Sequence, residues 1–357
     1  MPFTRLSWTW AVPAAAAGIL ALAVVVPHPA VRVAAGAVLF AAVFAAVHHA
    51  EVVAHRIGEP FGTLVLAVAV TVIEVGLIAS IMLGAGAAKA ELARDAVLAA
   101  VMIAANGIVG MCLLAGGVRH GEQGFQVRGA SAALAVLGAL SVMTLVLPNT
   151  LVATPGPTLS PPQLVFVGVI SLVLYLTFVF VQTVRHRDYF LAEGADDDDG
   201  HADRPTFAAA LASLALLLVS LVAVVGLAKV LSPVVERVVT EAGAPLAVVG
   251  IVISSVVLLP ESVAALRAAR RNRLQDSLNL ALGSALASIG LTIPVIAVVA
   301  LATGIPLALG ISSRDTVLLA LTLVVSVLTL GTGRTTVLQG MVHLTILSAW
   351  LFLSVVP

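Results

Sequence analysis

From Gly129 to Val184 the chain carries no Asp, Glu, Lys or Arg, and residues 277–313 and 335–357 are likewise free of charge. A bilayer-spanning helix needs about 20 consecutive apolar residues, so each of these runs is long enough to cross a hydrocarbon core. Lipid offers no water to satisfy backbone N–H and C=O groups, which leaves only helices or a closed barrel. The runs are too long and too uniform, and lack the alternation, for barrel strands. Of the 357 residues 61% are hydrophobic and 10% charged, against about 45–50% and 25% in soluble proteins. A soluble enzyme is thereby excluded. Eighteen Lys and Arg balance eighteen Asp and Glu, leaving no basic excess for nucleic acid. The single cysteine, Cys112, lies in an apolar run, so disulfides and thiolate metal sites are excluded too. The fold class is an all-α membrane protein.

Pro148, Pro155, Pro157, Pro161 and Pro162 cut the longest run in two. Eleven transmembrane helices are predicted, at 11–27, 31–50, 62–84, 96–117, 129–148, 163–184, 206–230, 244–266, 277–303, 314–331 and 336–356. The first is expected to be a retained span and not a signal peptide, because no clear cleavage site follows it. With the N-terminus inside, twelve Arg fall on inner segments, Arg267, Arg270, Arg271 and Arg273 among them, against six Lys and Arg outside. The positive-inside rule therefore predicts a cytoplasmic N-terminus and an outside C-terminus in a bacterial inner membrane. The polar segment 185–205 divides the spans into six and five. Removing the first span (residues 1–28) leaves five-helix halves, 29–184 and 206–357, and an odd number of helices forces the halves into opposite orientation. Inverted repeats of this kind place a substrate site near the membrane midplane.

Two acids stand alone inside these helices. Glu74 is the only charge between Glu59 and Lys89, and Glu261 the only charge between Glu241 and Arg267. Each half opens on a Gly-x-Pro turn, with Glu74 14 residues after Pro60 and Glu261 16 residues after Pro245. A charge at the bilayer centre costs about 2.5–3.5 kcal/mol on insertion scales, so a matched pair calls for a reason beyond packing. Desolvation raises a carboxyl pKa, and a second carboxylate nearby raises it further. Such a pair would hold protons when empty and release them to a dehydrated cation, and that competition suffices for antiport. Pro260 removes a backbone donor just before Glu261 and frees a carbonyl near Val256, so the helices are expected to be broken. Ser254 and Ser255 offer hydroxyls below that break, and Thr71 offers one a turn before Glu74. Asn106, Ser284 and Ser288 lie in the helices that follow each Glu. Taken singly, each of these small polar residues also fits a helix-packing role.

The stretches "GEPFGTLVLAVAVTVIEVGLIASIML", "LAGGVRHGEQGFQ", "QDSLNLALGSALASIGLTIPVIAV" and "GTGRTTVLQGMVHL" resemble, in order and spacing, the signature segments of the calcium:cation antiporter superfamily. The branch they most resemble is the cation/proton exchangers, particularly bacterial sodium/calcium:proton antiporters. The resemblance implies that Glu74 and Glu261 bind cation and proton, and that Asn106, Ser284 and Ser288 fall among the coordinating residues. It also implies transported Ca2+, Na+ or K+ and H+, a lipid bilayer as surroundings, and no resident cofactor. Where the family reads Gly-Asn-Ala-(Thr/Ala)-Glu, this chain has Val70-Thr71-Val72-Ile73-Glu74 and Val257-Leu258-Leu259-Pro260-Glu261. Both amides are lost. Calcium favours six to eight oxygen ligands, so the substitution points toward sodium or potassium, carried with calcium or in its place.

Other features compete for attention. "HHAEVVAHR" gathers His48, His49, Glu51 and His55 at the end of the second span, and imidazoles ligate zinc or iron. A membrane metalloenzyme is thus a rival reading, although no HExxH accompanies the cluster. The alternative is an inner vestibule in which Glu51, His48 and His49 relay protons or sense pH. A plain interfacial role fits the histidines equally. A passive cation channel is a further possibility, without an evident ring of pore residues. Asp196, Asp197, Asp198 and Asp199 form an acidic loop that reads either as a solvated linker or as a regulatory cation-capture segment. It lacks EF-hand spacing. His343 lies inside the last span and reads as a structural residue.

Overall fold

The computed structural model describes residues 8–26, 28–58, 61–85, 91–191 and 204–356. Nine helices among these residues are long and apolar enough to cross a membrane, and ten if one bent pair counts as a single span. A shorter apolar stretch, Leu64–Ala79, lies within a further helix. Eleven spans were expected. The chain is a multi-pass, almost wholly helical membrane protein, and it packs into two compact units that each draw on both halves of the sequence.

The first unit comprises Met1–Gly84 and His201–Gly243. It holds α1 (Trp8–Val25), α2 (Pro29–Ile57), α3 (Phe61–Ala85) and α8 (Phe207–Glu241). His28 caps α2 by accepting the Ala30 N–H at 3.2 Å, and Pro29 begins the helix where a missing N–H costs nothing. Gly58, at φ +78°, ends it, a conformation that only glycine adopts without strain. The chain then turns so sharply that a Cβ on Gly62 would stand 2.5 Å from the Ala54 carbonyl oxygen. α8 packs along α1 and α2 and meets α3 where Gly76 faces the Val225 side chain. At 35 residues α8 is about 52 Å long, well beyond the roughly 30 Å hydrocarbon core. Residues 231–241, expected as a loop, therefore continue the helix, bearing Glu236, Arg237 and Glu241 on its final turns.

The second unit comprises Ala85–Gly200 and Ala244–Pro357. One span runs from α4 (Leu92–Met102) through a π-turn (Ile103–Ile108) into α5 (Val109–His120). α6 (Val127–Ser141) and α7 (Pro161–Phe180) also end in π-turns, at Val142–Val146 and Val181–Arg185. α9 (Ala247–Val257) and α10 (Leu259–Arg270) form the bent pair, and α11 (Leu274–Thr303), α12 (Ser313–Leu330) and α13 (Val337–Val355) complete the unit. The core sits around the α4–α5 span and α11, the most deeply buried of the membrane helices. Their alanines and glycines let neighbouring backbones close in, as membrane packing requires.

The connecting loops of this unit gather at two ends. At one end β1 (Gln123–Gly124) pairs antiparallel with β2 (Arg334–Thr335), two short strands the sequence did not suggest. There Gln123 Nε2 donates to Ala269 O at 3.0 Å, and Asn279 Nδ2 donates to Phe190 O at 2.6 Å. At the other end Arg94 donates to Gly310 O at 3.0 Å, Asn149 donates to Ile311 O at 2.6 Å, and Arg314 donates to Leu353 O. Within this unit the segments bearing Arg119, Arg128, Arg185, Arg270 and Arg334 thus share one end, and those bearing Arg94 and Arg314 share the opposite one. This is the alternation that the span count requires.

Candidate functional site

Glu74 stands midway along α3 and is 1% exposed, with Ile73, Leu77 and Ile78 buried beside it. Thr71, a turn earlier, is buried as well, and its hydroxyl has no hydrogen-bond partner among the described residues. α3 is continuous through both residues, so the break expected in each glutamate helix is missing here. No proline follows Pro60 within this helix, and Ile, Val and Leu continue the backbone ladder unopposed.

The second glutamate sits on a broken helix. α9 stops at Val257, Leu258 forms the joint, and α10 departs at 54°. Pro260 occupies the first turn of α10 and Glu261 follows it, 9% exposed. Glu261 therefore stands in the first turn of α10, just past the joint. The two acids therefore differ in setting, one inside an intact helix and one at a helix N-terminus.

The serines near this joint divide in role. Ser254 is 1% exposed and donates to Ala96 O on α4 at 2.7 Å. It thereby ties α9 to α4 where Gly250 lets the backbones approach; a Cβ on Gly250 would stand 2.9 Å from Ala96 N. Ser255 faces outward and returns its hydroxyl to Ile251 O at 2.7 Å. On α11 Ser288 is buried and Ser284 half-buried.

Asn106 is fully buried at the centre of the π-turn. Its Nδ2 donates to Thr322 Oγ1 at 2.9 Å, and its Oδ1 lies 3.2 Å from His343 Nδ1. His343 Nε2 in turn lies 3.3 Å from Thr329 Oγ1. Sequence reading missed Thr322 and Thr329. The signal was present, since Thr322, Ser326 and Thr329 recur at i, i+4 and i+7 and form one buried polar stripe on α12.

Two of the histidines at the end of α2 have partners within the first unit. His49 Nε2 bonds to Thr9 O at 2.8 Å and fastens α1 to α2, while His48 lies against the Trp8 ring at 5.6 Å between centroids. Glu51 and His55 are exposed. Among the described residues no three His, Cys, Asp or Glu side chains come together as a metal site. The acidic run Asp196–Asp199 lies outside the described residues.

A family profile described as sodium/calcium exchanger protein matches residues 28–184 and 212–356. The chain is 50% identical over 357 residues to y4hA of Sinorhizobium fredii, whose name proposes an ionic transporter; the match spans 98% of this chain and 96% of that protein. It is 35% identical over 316 residues to the sodium-potassium/proton antiporter ChaA of Escherichia coli, spanning 88% of this chain and 85% of that one. Among solved structures, native YfkE superposes with a TM-score of 0.72 at 15% identity, covering 98% of this chain and all of the other. The H+/Ca2+ exchanger CAX gives 0.71 at 15% identity, covering 98% and 89%. These likenesses establish the fold.

Proposed function

Because the chain belongs to the sodium/calcium exchanger protein family, and is thus an exchanger-type cation transporter and not an enzyme, we propose that it exchanges cytoplasmic sodium or potassium, and calcium less well, for incoming protons. The observation that carries this reading is one buried carboxylate within the apolar helices of each half, Glu74 and Glu261. Each acid is neutral when it holds a proton and charged when it holds a cation, so one site serves either passenger but not both. Removing a carboxylate from water makes the protonated form affordable at neutral pH, and a cation returns the ionised form. Proton entry therefore drives cation release with no covalent chemistry.

Thr71, Asn106, Ser284 and Ser288 supply neutral oxygens to this exchange. With Thr71 and Leu258 where amides would otherwise stand, few ligands are available to a calcium ion that prefers six to eight. ChaA, named for sodium, potassium and protons, supports the monovalent assignment. Glu51, with His48 and His49, forms the proton entry on the inner side, and the acidic loop Asp196–Asp199 concentrates cations there. The repeats 29–184 and 206–357 alternate access across a bacterial inner membrane, with the N-terminus cytoplasmic and the C-terminus outside.

The test uses purified protein in liposomes with an internal pH dye and an imposed proton gradient. Sodium, potassium and calcium are added separately to wild type, Glu74→Gln and Glu261→Gln. Cation-dependent proton movement in wild type that both variants lack supports the reading, and the order of half-saturating concentrations ranks the substrates. Silence with all three cations refutes it.

A further inference from the structure

His343 is fully buried on the last helix, and the exchange described above gives it no task. Its surroundings assign its hydrogens. The Thr322 hydroxyl donates to Leu318 O at 2.8 Å, so at Asn106 it accepts, and Nδ2 is the donor at 2.9 Å. The amide is thereby oriented with Oδ1 toward His343. A carbonyl oxygen only accepts, so His343 Nδ1 carries the hydrogen across the 3.2 Å contact. Nε2 is then the bare nitrogen and accepts from the Thr329 hydroxyl at 3.3 Å. The ring also hydrogen-bonds the backbone of Ala105, the residue before Asn106 on the same turn. The charged or titratable side chains on the helices packed against α13 lie mostly at their far ends, Arg119 and His120 on α5 and Arg314 and Asp315 on α12, with Cys112 on α5 besides; α9 carries none.

The amide held in this way belongs to an irregular part of the backbone. Ile103–Ile108 is wound as a π-turn, a one-residue insertion that recurs at functional sites, and it packs against α10, the helix that bears Glu261. Asn106 Oδ1 has two lone pairs and His343 uses one.

We propose that His343 is a positioning residue for cation binding: through Nδ1–H it fixes the Asn106 amide, and with it the π-turn that braces the Glu261 helix. The inference rests on the exchange reading. Partners that orient a ligand typically change metal affinity or activity about 10–100-fold when removed.

The experiment compares wild type, His343→Leu, His343→Asn and His343→Gln in the liposome assay. The shorter amide of Asn places an N–H where Nδ1 stands, whereas the longer Gln reaches only the place of Nε2 beside Thr329. Expected is a rise of about tenfold or more in the half-saturating cation concentration for Leu and Gln, a near-wild-type value for Asn, and maximal rates within about twofold throughout. A wild-type half-saturation in the Leu variant overturns the proposal, as does rescue by Gln equal to that by Asn, or a loss confined to maximal rate. If the Leu variant does not fold, the Asn and Gln pair decides. The rise in melting temperature on adding sodium or potassium, measured on the same detergent-solubilised proteins, separates this inference from the exchange reading. If wild type moves no protons, the exchange reading fails. The same ranking of thermal shifts then still supports the positioning role, and equal shifts, or none in wild type, overturn it.

Discussion

Substituting Gly340 by alanine probes a helix crossing at which two backbones meet directly. A Cβ on Gly340 would lie 2.5 Å from Leu114 N, 2.9 Å from Gly110 O and 3.0 Å from Leu114 Cα, all of them main-chain atoms that no rotamer change can move. Ordinary contact begins near 3.4 Å, so α13 must retreat from α5 by about 0.9 Å, the difference between the two distances. Overpacking of this kind costs about 1–3 kcal/mol. His343 lies one turn further along α13, with its Cβ 3.1 Å from the place a Cβ on Gly110 would take, so it shares the displaced face. A retreat of that size carries the 3.2 Å contact between His343 and Asn106 beyond hydrogen-bonding range. The expected result is an apparent melting temperature about 1–4 °C lower in detergent, together with weaker cation binding. Gly36→Ala is the control, because nothing lies within 4 Å of a Cβ at that helical position, and there alanine is neutral or slightly stabilising. Equal stability of Gly340→Ala and Gly36→Ala would refute the argument that backbone contact holds α13 in place.

Other expectations follow from single contacts. Gly76→Ala places a Cβ 2.5 Å from Val225 Cγ2, so it destabilises by about 1–3 kcal/mol, and Val225→Ala in the same chain recovers most of the loss; thermal unfolding of the two single variants and the double variant measures the coupling. Ser254→Ala removes the 2.7 Å bond to Ala96 O and lowers stability by about 0.6–1.7 kcal/mol, the range of hydrogen bonds between membrane helices; an unchanged melting curve would show that α9 is held by packing alone. In a Cys112→Ala background, a cysteine at Glu122 is labelled by an impermeant maleimide only from the cytoplasmic side, and one at Thr154 only from outside. The reverse pattern would invert the proposed orientation.

The reading of spans from charge-free runs agreed with the structure to within a few residues at most termini, because in lipid the hydrogen-bonding demand of the backbone is local and a helix meets it whatever its neighbours do. α8 departs from it: residues 231–241 look polar enough for a loop, yet their backbone bonds close within the helix. The joint at Leu258 was foreshadowed by Pro260, whose missing N–H acts on its own turn. The continuity of α3 could not be read in the same way, since no residue there forces or forbids a break.

Side-chain partners are a different matter. Glu74 and Glu261 are conspicuous in the sequence because a charge in an apolar run is costly wherever the run folds. The direction of the Asn106 amide is not conspicuous, because it depends on a hydroxyl 216 positions away and an imidazole 237 positions away. Local composition thus set the helices, the alternation of the loops and the two acids. Tertiary packing alone decided that Asn106 bonds to Thr322 and His343, that Ser254 bonds α4 while Ser255 faces outward, and that Gly110 and Gly340 meet. Periodicity places a residue on a face, but which face lies opposite is settled only when the helices pack.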